Sequence, residues 1–459
     1  MAGVGISLRK LMQKDTLLGR IQAYGVAGTI SCGPWILSIG AILAIGMIGG
    51  RNGPNEESVT QFQLSVTYLM AFSLILTGPL QLMFSRFIAD RLFEQRDDIV
   101  LPNLLGALTA TLLLAGLVAA PVLVLWFDGS FNYRLGMLAS FAALCGLWVL
   151  VTFAAAIQEY RWVLLAFGLG YGITVAGALP LRKYGLEGLI ASFAVGQVVL
   201  FFCLLVLVIR QYPGKGFVAF DFLRRSQIFP SLAITGLLYN FGIWVDKLIF
   251  WINEDTGVTV IAPLRASPLY DLPIFLAYLS IIPGMAVFLM RSETEFAERC
   301  QSLFRTITGG GTLAQISEDK DSLVACARTM LLDIVKVQGL TTLILLATGE
   351  HLLSWFGISP MYRVLLNIDL VAVAVQVLQL AIFNVFFYLD QRVMVLRLSL
   401  LFTLSNVVFT LLTLQLGPTA YGYGFAAAVL VTTVVALAVL SRKLDRLEYE
   451  TFMLQPASC

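Results

Sequence analysis

The sequence predicts an all-α polytopic membrane protein with twelve transmembrane helices, and its composition, hydropathy and charge distribution all support this class. Hydrophobic residues make up 58% of the 459 residues, charged residues only 13%, and the mean hydropathy is +0.86. Soluble domains contain roughly 45–50% apolar and about 25% charged residues. The length alone would suggest about three soluble domains, and the composition excludes that organisation.

The predicted spans are runs of mostly apolar residues that are long enough to cross a bilayer. A helix needs about 20 such residues to cross a hydrocarbon core of roughly 30 Å. Twelve runs qualify, at about residues 25–49, 62–85, 102–126, 135–157, 162–180, 186–209, 229–252, 269–290, 332–349, 364–388, 393–415 and 421–440. The even number places both termini on the same side of the membrane.

The Lys and Arg residues determine the predicted orientation. With both termini in the cytoplasm, most of the 30 Lys and Arg residues fall in cytoplasmic segments or at their helix ends. The exceptions are Arg51, Arg134, Arg182, Lys183, Arg265 and Arg363 outside, and Lys247 within a span. The positive-inside rule therefore predicts cytoplasmic termini. No small-residue cleavage site follows a short apolar core, so we expect a multi-pass protein of the inner (cytoplasmic) membrane rather than a cleaved signal peptide.

The polar segment after the sixth span predicts two bundles of six helices. The expected segments are an amphipathic interfacial helix at 1–20, a first bundle at 21–210, a cytoplasmic linker at 211–228, a second bundle at 229–440 that includes a cytoplasmic loop at 291–331, and a cytoplasmic tail at 441–459. Both bundles open with a basic segment followed by a polar cluster, at 24–35 and 239–251. A duplication of one bundle would explain this shared pattern, and so would chance similarity between short segments. A duplication would make the halves parallel repeats.

The seventh span carries an adjacent pair of charged residues. Tyr239 and Asp246 are seven residues apart, as are Asn240 and Lys247, so each pair shares a helix face. Ionisable side chains in a bilayer usually face a cavity or a partner. We interpret these four residues as a stripe that lines a transport path. In the alternative, Lys247 lies roughly 8 Å from the outer end of the helix and extends its ammonium to the interface.

The two charged residues of this stripe are not expected to satisfy each other. Adjacent residues on a helix point about 100° apart. Each residue therefore needs a partner on another helix or water in a cavity. Asp369 is a candidate partner for Lys247, and Arg265 or Tyr270 for Asp246.

The tenth span carries a second polar stripe. Asp369 and Gln376 are seven residues apart, Gln379 lies one turn further, and Asn384 is nearby. Asp369 and Gln376 are candidates for the transport path. The alternative is that the buried amides only hold helices together, which is worth about 0.6 kcal/mol each.

Two spans contain Gly-Pro pairs, Gly33-Pro34 in the first and Gly78-Pro79 in the second. Proline interrupts helical hydrogen bonding and kinks a helix. Kinked helices suit a protein that alternates between two states, although proline is also tolerated in rigid spans.

The predicted cytoplasmic loop 291–331 is the one sizeable soluble segment. Phe296, Cys300 and Phe304 lie at helical spacing, and a second amphipathic run follows the Gly309–Gly311 turn. The loop is predicted to form a helical hairpin at the membrane surface or a docking site for a cytoplasmic partner. For docking, Phe296 and Phe304 are the candidate residues.

Enzymatic motifs are absent from the sequence. It has a single histidine, His351, and no GxSxG, HExxH or Walker motif. The six cysteines show no metal-type spacing. We therefore expect no catalytic residue, no metal and no cofactor, and the net charge of +2 gives no reason to expect nucleic-acid binding. Energy for transport would come from an ion gradient, a partner or the synthesis of the cargo.

Seven segments spread along the chain form a recognisable set. They are GISLRKL, SCGPWILSI, TGPLQLMFSRFIADRLFE, KYGLEGLIASFAVGQ, YNFGIWVDKLIFW, SPLYDLPIFLAYLSIIPGMAVFLMRSETEF and GGGTLAQI. This set resembles the Pel exopolysaccharide transporter family, which is placed in the multidrug/oligosaccharidyl-lipid/polysaccharide flippase superfamily. The resemblance implies two six-helix bundles around a central cavity.

The same resemblance implies a function and partners. The expected activity is export of an N-acetylgalactosamine-rich polysaccharide from cytoplasm to periplasm for the biofilm matrix. The expected partners are a cytoplasmic glycosyltransferase and membrane proteins of the Pel synthase complex, one of which senses cyclic di-GMP. The residues of the path are not implied by the resemblance.

Two other function classes stay open. An ion-coupled small-molecule antiporter of the multidrug type would need a titratable carboxylate, and Asp246 or Asp369 could serve. A non-transporting membrane scaffold for a polysaccharide synthase would need loop 291–331 but not the polar stripes.

Overall fold

The computed structural model describes residues 24–25, 27–28, 39–41, 45, 56–154, 160–212, 214, 216–224, 228–356 and 358–449. The predicted interfacial helix 1–20, most of the first predicted span and the end of the predicted tail lie outside these residues. The described part is almost entirely helical, as predicted.

Six helices make up the first part of the described chain. They are α1 (Glu56–Phe93), α2 (Val100–Trp126), α3 (Phe131–Ala154), α4 (Tyr160–Leu181), α5 (Gly185–Gln211) and α6 (Pro230–Ile252). Gly185 has φ +64 and joins α5 to the 3-10 turn Arg182–Tyr184, a conformation that suits glycine. Pro230 begins α6, where its missing N–H costs nothing and its φ is already helical.

A short β-hairpin follows α6. Strands β1 (Val258–Ile261) and β2 (Leu264–Ala266) pair antiparallel. Leu264 is buried in the core of the preceding helices. The sequence analysis did not anticipate this hairpin.

Seven further helices complete the described chain. They are α7 (Pro268–Leu279), α8 (Ile282–Arg291), α9 (Ala297–Thr308), α10 (Leu313–Trp355), α11 (Arg363–Tyr388), α12 (Arg392–Leu416) and α13 (Tyr423–Asp445). A π-helical turn, Ser292–Phe296, joins α8 to α9. Thr312 and Gln315 form a capping box that starts α10.

Among the described residues, nine helical stretches are long and apolar enough to cross a membrane, or ten if the bent pair 268–308 is one span. The stretch Arg161–Gln211 counts once although it contains both α4 and α5. The second to twelfth predicted spans each coincide with a helix or with this bent pair. The total of twelve stays a prediction because most of the first span lies outside the described residues.

Contacts divide the chain into two compact units. Of the described residues, one unit contains those from 39 to 268, with α1 to α6 and the hairpin, and the other contains those at 24–28 and from 269 to 449, with α7 to α13. By its contacts α6 belongs with α1, although it was predicted to open the second bundle. The predicted bundle boundaries at 211–228 stay a prediction.

Small residues allow the helices of the first unit to approach closely. A Cβ on Gly170 would lie 3.0 Å from the carbonyl oxygen of Gly196, and one on Gly177 would lie 2.6 Å from the Ser192 hydroxyl. Such contacts are typical of helices in a bilayer, where packing rather than hydrophobic burial drives association. They bring α4 against α5.

Candidate transport-path residues

Helix α6 carries the Asp246–Lys247 pair, and both residues are buried, at 0% and 1% exposure. The Lys247 ammonium donates to Asp246 Oδ2 at 3.0 Å and Oδ1 at 3.2 Å. It also donates to the carbonyl oxygen of Ile243 at 2.9 Å. The expectation that these neighbours cannot satisfy each other is therefore wrong. The lysine chain is long enough to fold back over one helical turn and reach the adjacent carboxylate.

This geometry also excludes the interfacial alternative for Lys247. Its ammonium points toward Ile243, the residue one turn nearer the start of α6. A lysine side chain that reached the membrane interface would direct its ammonium toward the C-terminal end of α6. The ion pair places two charges but no net charge inside a membrane-spanning helix, and it tolerates burial only while both partners are present.

Helices α1 and α6 cross at two glycines. A Cβ on Gly78 would lie 2.6 Å from the carbonyl oxygen of Gly236 and 2.5 Å from Asn240 Nδ2. Asn240 Nδ2 donates to the Gly236 carbonyl at 3.0 Å. The predicted stripe residue Asn240 thus belongs to a helix crossing, next to the half-buried Tyr239.

Aromatic rings stack between α1 and α6. The Tyr68 ring stacks on Trp251 with centroids 4.5 Å apart, and on Phe72 at 5.9 Å. Trp244 lies 6.4 Å from Trp251. The Tyr68 hydroxyl donates to the Arg265 carbonyl at 2.8 Å. The stack is thereby anchored to the β-hairpin.

Arg265 caps α6 rather than pairing with Asp246, which corrects that part of the prediction. Its guanidinium donates to the carbonyls of Ile252 at 3.0 Å and Gly257 at 2.7 Å. The last carbonyls of a helix lack partners within the helix and carry partial negative charge, so a cation there is favourable. The pairing of Tyr270 and Asp369 with α6 stays a prediction.

The predicted stripe on the tenth span lies on α11. Asp369, Gln376 and Gln379 are all buried. Asp369 lies against Gly422, where a Cβ would be 3.3 Å from Oδ1. All three residues thus lie in the interior of the second unit, and the role of Asp369 and Gln376 in a transport path stays a prediction.

A third polar stripe, on α12, was missed. Ser399, Thr403, Asn406 and Thr410 are buried, and Thr410 donates to Asn406 Oδ1 at 3.1 Å. These residues are four, three and four positions apart, and this spacing predicts that they share one face of a helix.

Loop 291–331 forms the predicted helical hairpin. Helices α9 and α10 are joined at Gly309–Gly311, and Asp319 accepts hydrogen bonds from Ser302 at 3.2 Å and Thr306 at 2.5 Å. These bonds hold the two helices together near the turn. The position of the hairpin at the membrane surface stays a prediction.

The two predicted docking residues have different environments. Phe296 is 0% exposed and packs edge-on against Tyr388 with centroids 5.3 Å apart. It therefore belongs to the core, and the prediction that it contacts a partner is corrected. Phe304 is 45% exposed, so its ring remains a candidate for contact with a partner.

The fold is similar to that of solved transporters. One is described as the outward-facing conformation of a multidrug resistance MATE family transporter of the MOP superfamily, with a TM-score of 0.65, 14% identity, and 93% of this chain and 96% of that chain covered. A MOP superfamily transporter from Pyrococcus furiosus gives a TM-score of 0.62 at 12% identity, with 93% and 96% covered. At these identities the similarity shows the fold alone.

The family comparison covers nearly the whole chain. No curated relative matches it. The PelG family, described as "Putative exopolysaccharide Exporter (EPS-E)", matches residues 1–452. This range includes the polar stripes of α6, α11 and α12 and the α9–α10 hairpin. With its transporter fold and this match, the chain belongs to the PelG family of exopolysaccharide exporters.

Proposed function

We propose that this protein exports an N-acetylgalactosamine-rich Pel polysaccharide from the cytoplasm to the periplasm, for the biofilm matrix. The observation that carries the proposal is the family match over residues 1–452. The positive-inside pattern supports a location in the bacterial inner membrane with both termini in the cytoplasm. A Pel-type synthase complex, with its cytoplasmic glycosyltransferase and membrane partners, would deliver the cargo.

The proposed path residues lie on two polar stripes, one on α6 in the first unit and one on α11 in the second. Its residues are Tyr239, Asn240, Asp246, Lys247, Asp369 and Gln376. A polymer of neutral sugars needs hydrogen-bonding groups and aromatic faces more than net charge of one sign. The Asp246–Lys247 pair is neutral as a whole, and Trp244 and Trp251 lie on the same helix, three residues before and four residues after Lys247.

Depletion of the protein from polymer-producing cells tests the function. We expect surface polymer to fall at least about tenfold, while membrane extracts supplied with nucleotide sugars retain polymerising activity. The reason is that an exporter acts after the bonds of the polymer have been made. Loss of the extract activity as well would instead support the scaffold. Unchanged surface polymer with altered sensitivity to toxic small molecules would support the antiporter.

We further propose that the exposed side of the α9–α10 hairpin docks the glycosyltransferase. Phe304 lies on α9 before the turn and Leu313 lies on α10 after it, and both side chains are exposed. The Asp319 bonds to Ser302 and Thr306 make this part of the hairpin a defined surface. A preformed surface loses less entropy on binding than a flexible loop.

The Phe304→Ser variant tests docking. Burying a phenylalanine at an interface contributes roughly 1.5–3 kcal/mol, so binding of the glycosyltransferase should weaken by about tenfold or more. Co-purification from detergent extracts would measure this. Phe93→Ser, which replaces an exposed phenylalanine at the end of α1, should keep wild-type binding. Wild-type binding by a stable, membrane-inserted Phe304→Ser protein would contradict direct docking.

A further inference from the structure

The eighth predicted span is broken at Ser280 and Ile281, between α7 and α8. The two helical pieces meet at an angle of 43°. The Ser280 and Ile281 amides donate to carbonyls only three residues back, those of Ala277 and Tyr278. Backbone groups at a break within a membrane need partners from the protein or from a bound species.

Gln338 of α10 supplies one such partner. Its Nε2 donates to the Ser280 carbonyl at 3.1 Å. Its side chain lies over Gly284, where a Cβ would overlap Gln338 Oε1 and lie 3.2 Å from Cδ. Since only the amide nitrogen can donate to a carbonyl, this bond orients the amide and leaves Gln338 Oε1 as a fixed acceptor.

Three buried oxygens at the break have no hydrogen-bond partner among the described residues. They are Gln338 Oε1, Ser280 Oγ and Thr342 Oγ1. Their residues are 2%, 4% and 6% exposed. Buried polar atoms are nearly always bonded, and each exception needs an explanation.

The packing of α8 and α10 brings the residues that carry these oxygens within about one helical turn of each other. Gly284 lies against Gln338, and Arg291 is paired with Asp333 at 2.7 Å, so the two helices run antiparallel. Thr342 follows Gln338 by one turn on the same face of α10. It therefore lies level with Ser280, one turn before Gly284.

We propose that these three oxygens bind a monovalent cation of the size of Na⁺ at the break. All three present lone pairs, and the C-terminal end of α7, which ends beside them, carries partial negative charge. Broken membrane helices use unwound backbone and helix C-termini in this way. The three side chains have no formal charge, whereas Ca²⁺ and Mg²⁺ sites rely on carboxylates. A bound ion would hold the two pieces of the span at one angle.

This site is separate from the proposed polysaccharide path, and its test does not depend on export. The purified full-length protein is heated in NaCl or in choline chloride at equal ionic strength, and its thermal unfolding temperature is measured. A ligand that binds only the folded state raises this temperature with its concentration. We expect the wild-type protein to be more stable in NaCl.

Two hydroxyl variants carry the test, because Gln338→Leu would also remove the bond to Ser280. Ser280→Ala and Thr342→Val should each need about tenfold more Na⁺ for the same rise. Thr341→Val is the matched control, since its hydroxyl is already bonded to the Val337 carbonyl at 2.9 Å. It should respond like the wild type.

Two results would overturn the site. One is equal stability of the wild-type protein in NaCl and choline chloride. The other is an unchanged Na⁺ response in both hydroxyl variants, with their unfolding temperatures shifted equally in the two salts. The second result would mean that the hydroxyl groups affect stability only through packing.

Discussion

Lys247→Met should sharply reduce the amount of folded protein in the membrane. The substitution leaves the Asp246 carboxylate buried without the ammonium that lies 3.0 Å away. Breaking one side of a buried pair costs roughly 3–5 kcal/mol. Asp246→Asn should have a similar effect, because it removes the carboxylate that the Lys247 ammonium pairs with. Membrane abundance and thermal unfolding of the purified protein measure both losses.

The double variant Asp246→Asn with Lys247→Met should recover much of this abundance, because both charges of the pair are removed together. Lys336→Met is the matched control, since the exposed Lys336 forms only a surface pair with Asp333 at 3.5 Å. Such pairs contribute about 0–1 kcal/mol. Wild-type abundance of both single variants would contradict a buried ion pair.

Export by the double variant then tests the proposed path. If Asp246 and Lys247 contact the polymer, exported polysaccharide per folded molecule should fall even where abundance is restored. Wild-type export by the double variant would assign the pair a purely structural role.

Gly236→Ala should separate α1 from α6 and destabilise the first unit. The two helices are so close that a Cβ on Gly236 would overlap the backbone carbonyl of Gly78. A backbone neighbour cannot move aside as a flexible side chain can, and overpacking of this kind costs typically 1–3 kcal/mol or more. Gly78→Ala should act in the same way. Thermal unfolding and membrane abundance are the measurements.

Gly116→Ala provides the control for this pair. Nothing lies within 4 Å of a Cβ at Gly116 in α2. Alanine is favoured over glycine in helices by roughly 1 kcal/mol, so this variant should be as stable as the wild type or slightly more stable. Equal stability of Gly236→Ala and Gly116→Ala would contradict the close crossing.

The Gly78-Pro79 pair shows what sequence reasoning about a single helix leaves out. Sequence reasoning assigned it a kink, because proline lacks an N–H. The structure adds that the backbone of α1 at Gly78 packs directly against the backbone of α6 at Gly236. A contact between residues far apart in the sequence cannot be inferred from one helix, since it depends on the partner that packs there.

The sequence alone determined the membrane class and the positions of the second to twelfth spans. Hydropathy and helical spacing are properties of short segments, so they need no knowledge of neighbours. The motifs along the chain also led to the correct family, because such motifs are written directly in the residue order.

Only the tertiary structure decided which polar groups pair. It joined Lys247 to Asp246, turned Arg265 onto the end of α6, buried Phe296 against Tyr388 and set Gln338 at the break between α7 and α8. Each outcome depends on side-chain conformation or on a helix distant in the sequence. The physical reason is that long side chains reach several alternative partners at similar cost, and packing selects one of them.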